Sequence, residues 1–438
     1  MFTNPVNPES PPPESDSVEA EQRIEIPPFP PSARVLTRFL SWFTEWPNII
    51  AIALAVAVLV LHLIIINDVE SQILDEQHYI PEANALLDGE DLSDEKYNPE
   101  HPSLGKLLIA GSIESFGDKP LGWRMFSVLF GVASIILFYL ICRKLTSKKW
   151  LPPIAAFLFA FENMNFVLSS VAMLDVFYVT FMLAGFWLYL HNRYIPAAVF
   201  VALSAMAKLS GVFVGGIILL HWIISSLIRW RNDRSKPKLG GILFIVAAPA
   251  AFFGLMPLFD RLALNHWEYP WDRIDYMLDT SQTLTFASVD HPSEARPWDW
   301  ILSPDPMWFW YDPTYQSALN WTLWALIIPI FAYGVYRLIR CSNLGAFAVS
   351  WITGTWLVWI PVVLVTDRVL FNFYFYPAIG AICLLAAAGI HQILEIASKR
   401  RNIFVKRTMQ IAIAAFLMGH LAAFIIMSPY CPWPPASY

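Results

Sequence analysis

Asp75 and Glu76 stand side by side in Leu74-Asp75-Glu76-Gln77-His78-Tyr79, directly after the first long apolar run of the chain. A second polar segment follows, Tyr97-Asn98-Pro99-Glu100-His101-Pro102-Ser103-Leu104-Gly105-Lys106. A carboxylate placed just outside a bilayer can accept a proton from an incoming hydroxyl, a general-base contribution of about 10²–10⁴-fold. If the group displaced is a phosphate, no acid is needed, because phosphate departs as an anion, but positive charge must receive it. Arg124, Lys208 and Arg368 are the candidates for that charge. The plainer readings are an ordinary acidic loop for the pair and headgroup snorkelling for each cation. A charge at the bilayer centre costs about 2.5–3.5 kcal/mol on insertion scales, and three cations near one surface are more simply explained by an anionic ligand.

Other polar residues interrupt apolar sequence. Glu162 and Asp175 do so within Trp150 to Leu190, where an ionisable group is functional or structural by default; ordering a loop or a helix end suits them as well as catalysis. His101-Pro102 reads as a turn that fixes a loop, with the imidazole and Lys106 near an acceptor. His291-Pro292 lies near Trp298, Trp300, Trp308, Trp310 and Tyr311. These aromatics suit an interfacial belt, a sugar platform or a lipid-chain wall, and the belt is the simplest.

The elements that must position these groups are membrane helices. Of 438 residues 56% are hydrophobic and 15% charged, and mean hydropathy is +0.49; a soluble domain carries about 25% charged residues. Apolar runs of spanning length cover Ile49 to Ile66, Met125 to Cys142, Leu209 to Ile228, Gly240 to Phe259, Ser317 to Tyr336, Asn343 to Thr366, Val369 to Leu394 and Thr408 to Met427. A crossing helix needs about 20 residues. Trp150 to Leu190 reads as two helices joined by a tight turn around Asn163 to Ser170, and Tyr194 to Ala207 as a short span. The expectation is an all-α polytopic protein with about 11 transmembrane helices.

Lysine and arginine placement orients them. Arg34 and Arg38, Arg143 to Lys149, Arg193, Arg229 to Lys238, Arg337 and Arg340, and Lys399 to Arg407 all fall on one side of an 11-span arrangement. That side is expected to be cytoplasmic, with the N-terminus inside and Tyr438 outside. The opposite face is acidic: 13 acidic residues against three lysines between Asn67 and Leu121, and 10 against three arginines between Asp260 and Gln316. The net charge of −6 averages the two faces, and this distribution excludes nucleic acid as a partner. The domain reading is a Pro-rich, disordered cytoplasmic tail over 1–31, a transmembrane domain over 45–430 with outer loops at about 67–122 and 260–316, and an outer tail over 431–438. Residues 1–31 have neither the basic start nor the early apolar stretch expected of a cleaved signal peptide. Four scattered cysteines imply neither a disulfide framework nor a metal cluster. No internal repeat is evident, which weighs against an inverted-repeat transporter.

Asp75-Glu76, His101-Pro102-Ser103-Leu104-Gly105-Lys106-Leu107, Phe116-Gly117 and Gly122-Trp123-Arg124 together resemble the first outer loop of the protein O-mannosyltransferase family. The resemblance continues in Glu162-Asn163 through Ser169-Ser170 to Leu174-Asp175, in Ala207-Lys208 to Gly211-Val212-Phe213, and in Phe371 to Pro377, and covers most of residues 45 to 430. Ser103 replaces the second proline of the family pattern, Ser170 an arginine, and Asn372-Phe373 a common Tyr-His pair. The second loop lacks the large insertion of the eukaryotic enzymes, which points to a bacterial member.

The resemblance implies a C-type membrane glycosyltransferase at the outer face of the plasma membrane. It would transfer a sugar, mannose by family, from a polyprenyl-phosphate donor to a hydroxyl of exported proteins. The proposed family base falls on Asp75 and the activity-requiring arginine on Arg124; Glu76 would shape the site or bind acceptor, and Lys208 and Arg368 would hold phosphate with Arg124. No metal is indicated by the residues. Transfer to a lipid or glycan, as in the related aminoarabinose transferases of lipid A, is the alternative acceptor chemistry. A lipid or solute transporter would instead distribute charges along a mid-membrane path, and a purely structural assembly factor would leave Asp75 and Arg124 dispensable.

Overall fold

The structure is a computed structural model that describes residue 1 and residues 44–90, 92, 100–234, 239–303 and 305–431. The expected tail over 1–31, Arg34, Arg38, Lys236, Lys238 and nearly all of the 431–438 tail lie outside the described residues.

From Trp46 onward the chain forms one compact helical unit. The apolar helix α1 (Trp46–Ile65) leads into two outer-loop helices, α2 (Glu76–Leu87) and α3 (Leu104–Phe116). Then come α4 (Pro120–Leu145), α5 (Leu151–Ala160), α6 (Asn163–Ser170), α7 (Leu174–Leu190) and α8 (Tyr194–Ala207). A 3₁₀ turn (Leu209–Val212) opens α9 (Phe213–Asp233), followed by α10 (Gly240–Ala263) and the second-loop helices α11 (Pro270–Thr283) and α12 (Asp299–Leu302). A two-stranded antiparallel hairpin, β1 (Met307–Trp310) and β2 (Tyr315–Ser317), precedes α13 (Trp321–Trp324) and α14 (Ile327–Ile339). Next is α15 (Asn343–Ile352), which runs through a π turn (Thr353–Leu357) into α16 (Trp359–Thr366). A 3₁₀ segment (Asn372–Ala378), α17 (Ile379–Lys399) and α18 (Ile403–Met427) complete the fold.

Burial sorts the helices. α7 is apolar on every side and is almost wholly enclosed, as expected of a helix at the centre of a bundle. α17 is likewise central. α10 turns Val246, Leu258 and Leu262 outward, each more than half exposed, and so presents a face to lipid. Among the described residues seven helices are long and apolar enough to cross a membrane, and the bent pair α5–α6 makes an eighth. The expected eleven would require the shorter apolar helices α7, α8 and α14 to cross as well.

Two expectations are corrected. Asn163 to Ser170 is a buried helix bent 56° from α5 rather than a tight turn. The bend forms because the Glu162 carboxylate caps α6, accepting from the Asn165 amide at 2.9 Å and from the Asn320 amide at 2.9 Å. Ser317 to Tyr336 is not one span either. Asn320 breaks it by capping α13 through the Thr322 amide and by donating to the His420 carbonyl.

Candidate active site

The site begins with a strained turn. Leu74 adopts φ 48°, a left-handed conformation unusual for a bulky non-glycine residue. Glu76 holds it there. One carboxylate oxygen accepts from the Ile73 amide at 2.8 Å and from Arg124 Nη2 at 2.8 Å; the other accepts from Arg124 Nε at 2.9 Å and from the Ala172 amide at 2.8 Å. Arg124 Nη1 donates to the Ile66 and Val69 carbonyls at 3.0 and 2.8 Å, and Nη2 also donates to the Ser71 carbonyl at 3.0 Å. All five N–H groups of the guanidinium are therefore occupied, and both side chains are fully enclosed.

This geometry corrects the assignment of Arg124, which has no N–H left for a phosphate. Of the two readings of Glu76 it favours shaping the site over binding acceptor, because both carboxylate oxygens are taken. Together they clamp the α1–α2 connection onto α4 and the α6–α7 connection, and the clamp presents Asp75 at the start of α2. Asp75 is half-buried and makes no capping hydrogen bond with its own helix. Burial is the main cause of its raised pKa, about 6; Lys208 opposes the shift and Asp175 adds to it.

Lys208 lies in the break between α8 and the 3₁₀ turn. Its Nζ donates to both oxygens of Asp175 at 2.9 Å, in the first turn of α7, and sits 5.1 Å and 4.8 Å from the ring centroids of Phe373 and Tyr374. Arg368 Nη2 donates to Glu100 at 2.8 Å and Nη1 to the Ser281 carbonyl at 2.7 Å. Burial works against ionisation of Glu100, but the charged groups around it, Arg368 among them, prevail and hold its pKa at about 2. His101 is buried, which lowers its pKa to about 3, and its Nδ1 has no hydrogen-bond partner.

Lys208, Arg368, Glu100, His101 and Tyr374 line one end of a 420 Å³ cleft. The rest of its wall is mainly apolar, including Phe213, Ile274, Leu278, Trp359 and Val362, with Ser210, Ser281, Gln282 and Thr366 among them. At Val212 and Phe252 this cleft adjoins a second apolar groove of 320 Å³ running between α8, α9 and α10. The pair of cavities thus joins Lys208 and Arg368, each paired with a carboxylate, to an apolar groove among α8, α9 and α10.

The remaining expected site residues lie apart. Lys106 pairs with Glu82 at 2.8 Å, with both side chains buried, and ties α3 to α2. Glu162 caps α6. His291, on the second loop, packs its ring against Phe371, just before the 3₁₀ segment, and does not line the cleft. Sequence reasoning missed Glu100 and Tyr374 as site residues although both stand within the motifs. It also missed Ser103, Asp260 and Arg273: Ser103 Oγ donates to Asp260 at 2.6 Å and Arg273 donates to the His101 carbonyl at 3.3 Å. No residue spacing links positions so far apart in the chain. Among the described residues there is no cluster of His, Cys, Asp or Glu arranged for a metal.

Comparison with known proteins agrees with this architecture. The sequence profile of the Dolichyl-phosphate-mannose-protein mannosyltransferase family matches residues 114–265. A Polyprenol-phosphate-mannose–protein mannosyltransferase of Mycolicibacterium smegmatis is 25% identical over 79% of this chain and 81% of its own length. The S. cerevisiae protein O-mannosyltransferase Pmt1-Pmt2 complex bound to the sugar donor superposes with TM-score 0.71, at 13% identity, over 89% of this chain and 91% of that one. ArnT from Cupriavidus metallidurans bound to undecaprenyl phosphate superposes with TM-score 0.54, at 13% identity, over 86% and 76% of the two chains.

Proposed function

We propose that this chain is a membrane glycosyltransferase of the protein O-mannosyltransferase family and transfers mannose from polyprenyl-phosphate mannose to hydroxyl groups of polypeptides. The observation that carries the proposal is the joining of an apolar path to a cationic end. A polyprenyl chain would lie along the groove between α8, α9 and α10, and its phosphate would meet Lys208 and Arg368. Both cations are already held by carboxylates, Asp175 and Glu100, so they are oriented before the donor arrives.

In the reaction the acceptor oxygen attacks the anomeric carbon from the face opposite the phosphate. The bond between that carbon and the phosphate oxygen breaks, and its electron pair leaves on the phosphate. Asp75 takes the proton of the attacking hydroxyl. Lys208 and Arg368 stabilise the departing anion, and the sugar emerges with inverted configuration. The neutral His101, with Nδ1 unpartnered beside the cleft, is placed to hydrogen-bond donor or acceptor.

The same donor geometry would serve a lipid or glycan acceptor. Location in the plasma membrane with the site on the outer face belongs to this proposal and rests on the one-sided basic clusters. The test is transfer from polyprenyl-phosphate mannose to a Ser/Thr-rich peptide, with a lipid acceptor in a parallel arm. Peptide mannosylation supports the proposal; transfer to the lipid alone would replace the acceptor, and transfer to neither would reject the function.

A further inference from the structure

The candidate active site lies at the Pro120 end of α4, and a different cavity lies at the Leu145 end. α4 has 26 residues, so at about 1.5 Å per residue the two ends are about 39 Å apart. Here the C-terminal ends of α4, α14 and α17 meet the N-terminal ends of α5 and α15 around a cavity of 470 Å³. This is the basic end of the bundle.

Its charged lining is Lys148, Arg337, Lys399 and Glu395, with His391 beside them. Three cations thus face one carboxylate, and that carboxylate is already covered: Lys148 donates to Glu395, and His391 Nδ1 lies 4.0 Å from it. Arg337 is the most firmly placed cation. Its Nη1 donates to the Tyr333 hydroxyl at 2.9 Å and its Nη2 to Ser342 Oγ at 3.0 Å. Ser342 caps α15, and Ser342, Asn343 and Leu344 all line the cavity. The first amides of a helix lack intrahelical acceptors and carry the positive end of its dipole. A fixed guanidinium, a helix N-terminus and Lys399 therefore border one concave space, with Lys148 at its edge on Glu395, a combination that suits a phosphate oxygen.

The floor has the opposite character. Leu145, Leu151, Leu344 and Ala388 line it, with Leu151 and Leu344 each 3% exposed, and Ile396 and Ile393 carry the apolar surface outward along α17. A free anion would gain nothing from that floor. An amphiphile would cover the exposed Ile393 and Ile396 while its headgroup met the cations.

We propose that this cavity binds a phosphate-bearing anion, and that the ligand is the headgroup of an anionic phospholipid in the leaflet at the basic end. The site is separate from the donor cleft and would tie the enzyme to a membrane of suitable charge.

The test uses the full chain in nanodiscs of phosphatidylcholine with or without phosphatidylglycerol. Lipid retained after transfer to detergent is counted by native mass spectrometry, and thermal unfolding is followed in parallel. The parent should retain phosphatidylglycerol in preference to phosphatidylcholine. K148Q/K399Q, which leaves the Arg337 contacts intact, should retain it several-fold less, R337Q should also lose it, and K148R/K399R should restore it. Binding of the polyprenyl donor at the far cleft should be unchanged in K148Q/K399Q, which verifies its fold. Equal retention in parent and K148Q/K399Q would overturn the site. Inorganic phosphate that stabilises the parent in phosphatidylcholine discs as well as phosphatidylglycerol does would overturn the lipid and leave a soluble anion as its ligand.

Discussion

Two adjacent carboxylates carry opposite duties. Glu76 spends both oxygens on Arg124 and on the Ile73 and Ala172 amides, whereas Asp75 stands free of its own helix with a pKa raised to about 6, chiefly by burial. Replacing Asp75 by Asn should leave folding and donor binding intact and lower turnover about 10²-fold or more, the loss expected for a general base; initial rates at matched protein levels check it. The base acts only when ionised, so kcat/KM should rise with pH through about 6 and fall away below. Asp75→Asn should lose that acidic limb. Glu100 and His101, held near 2 and 3, titrate too low to produce it. Glu76→Ala behaves differently. Removing one partner of a buried ion pair costs about 3–5 kcal/mol, so its first effect should be a lower melting temperature and poor yield, with Arg124→Ala alike. The sequence made the pair visible, but adjacency alone could not divide the roles. That division depends on the guanidinium that arrives from α4 and on an amide from residue 172, contacts that no local pattern encodes.

At the scale of elements, close packing places the His101 segment over the Asp175–Lys208 pair. Gly105 opens α3 against the start of α7 and the end of α8, and a Cβ there would meet the Ala207 carbonyl at 2.7 Å and a Leu174 methyl at 2.6 Å. Gly105→Ala should therefore displace α3, at a cost of about 1–3 kcal/mol, and raise the KM for donor by disturbing His101 and Glu100; steady-state kinetics with a melting curve would reveal both. Arg368 sits on the short segment after α16 and is locked by Ser281 on α11 and by Glu100. Arg368→Gln should raise the donor KM more than it lowers kcat. Long apolar runs declared most helices in the sequence. The breaks at Glu162 and Asn320 escaped notice because polar groups inside apolar runs cap helices only when a partner from elsewhere in the chain arrives. Ser103, which stands where the pattern it resembles has proline, similarly found its partner only in Asp260 on α10.

For the whole molecule, helices gather charged chemistry at one end and basic residues at the other, leaving apolar grooves between. The one-sided basic clusters predict an outside C-terminus, so a reporter fused after Tyr438 should read as non-cytoplasmic; a cytoplasmic reading would move a loop across the membrane. The central claim is that the cleft moves mannose from a polyprenyl phosphate to a hydroxyl with Asp75 as base. Its most direct measurement incubates purified parent and Asp75→Asn with polyprenyl-phosphate mannose and a Ser/Thr-rich peptide, and follows the peptide by mass spectrometry. The parent should add a single hexose with inverted anomeric configuration, at a rate at least about 10²-fold above that of Asp75→Asn. Equal rates in the two proteins, or no hexose on the peptide with the parent, would contradict the account.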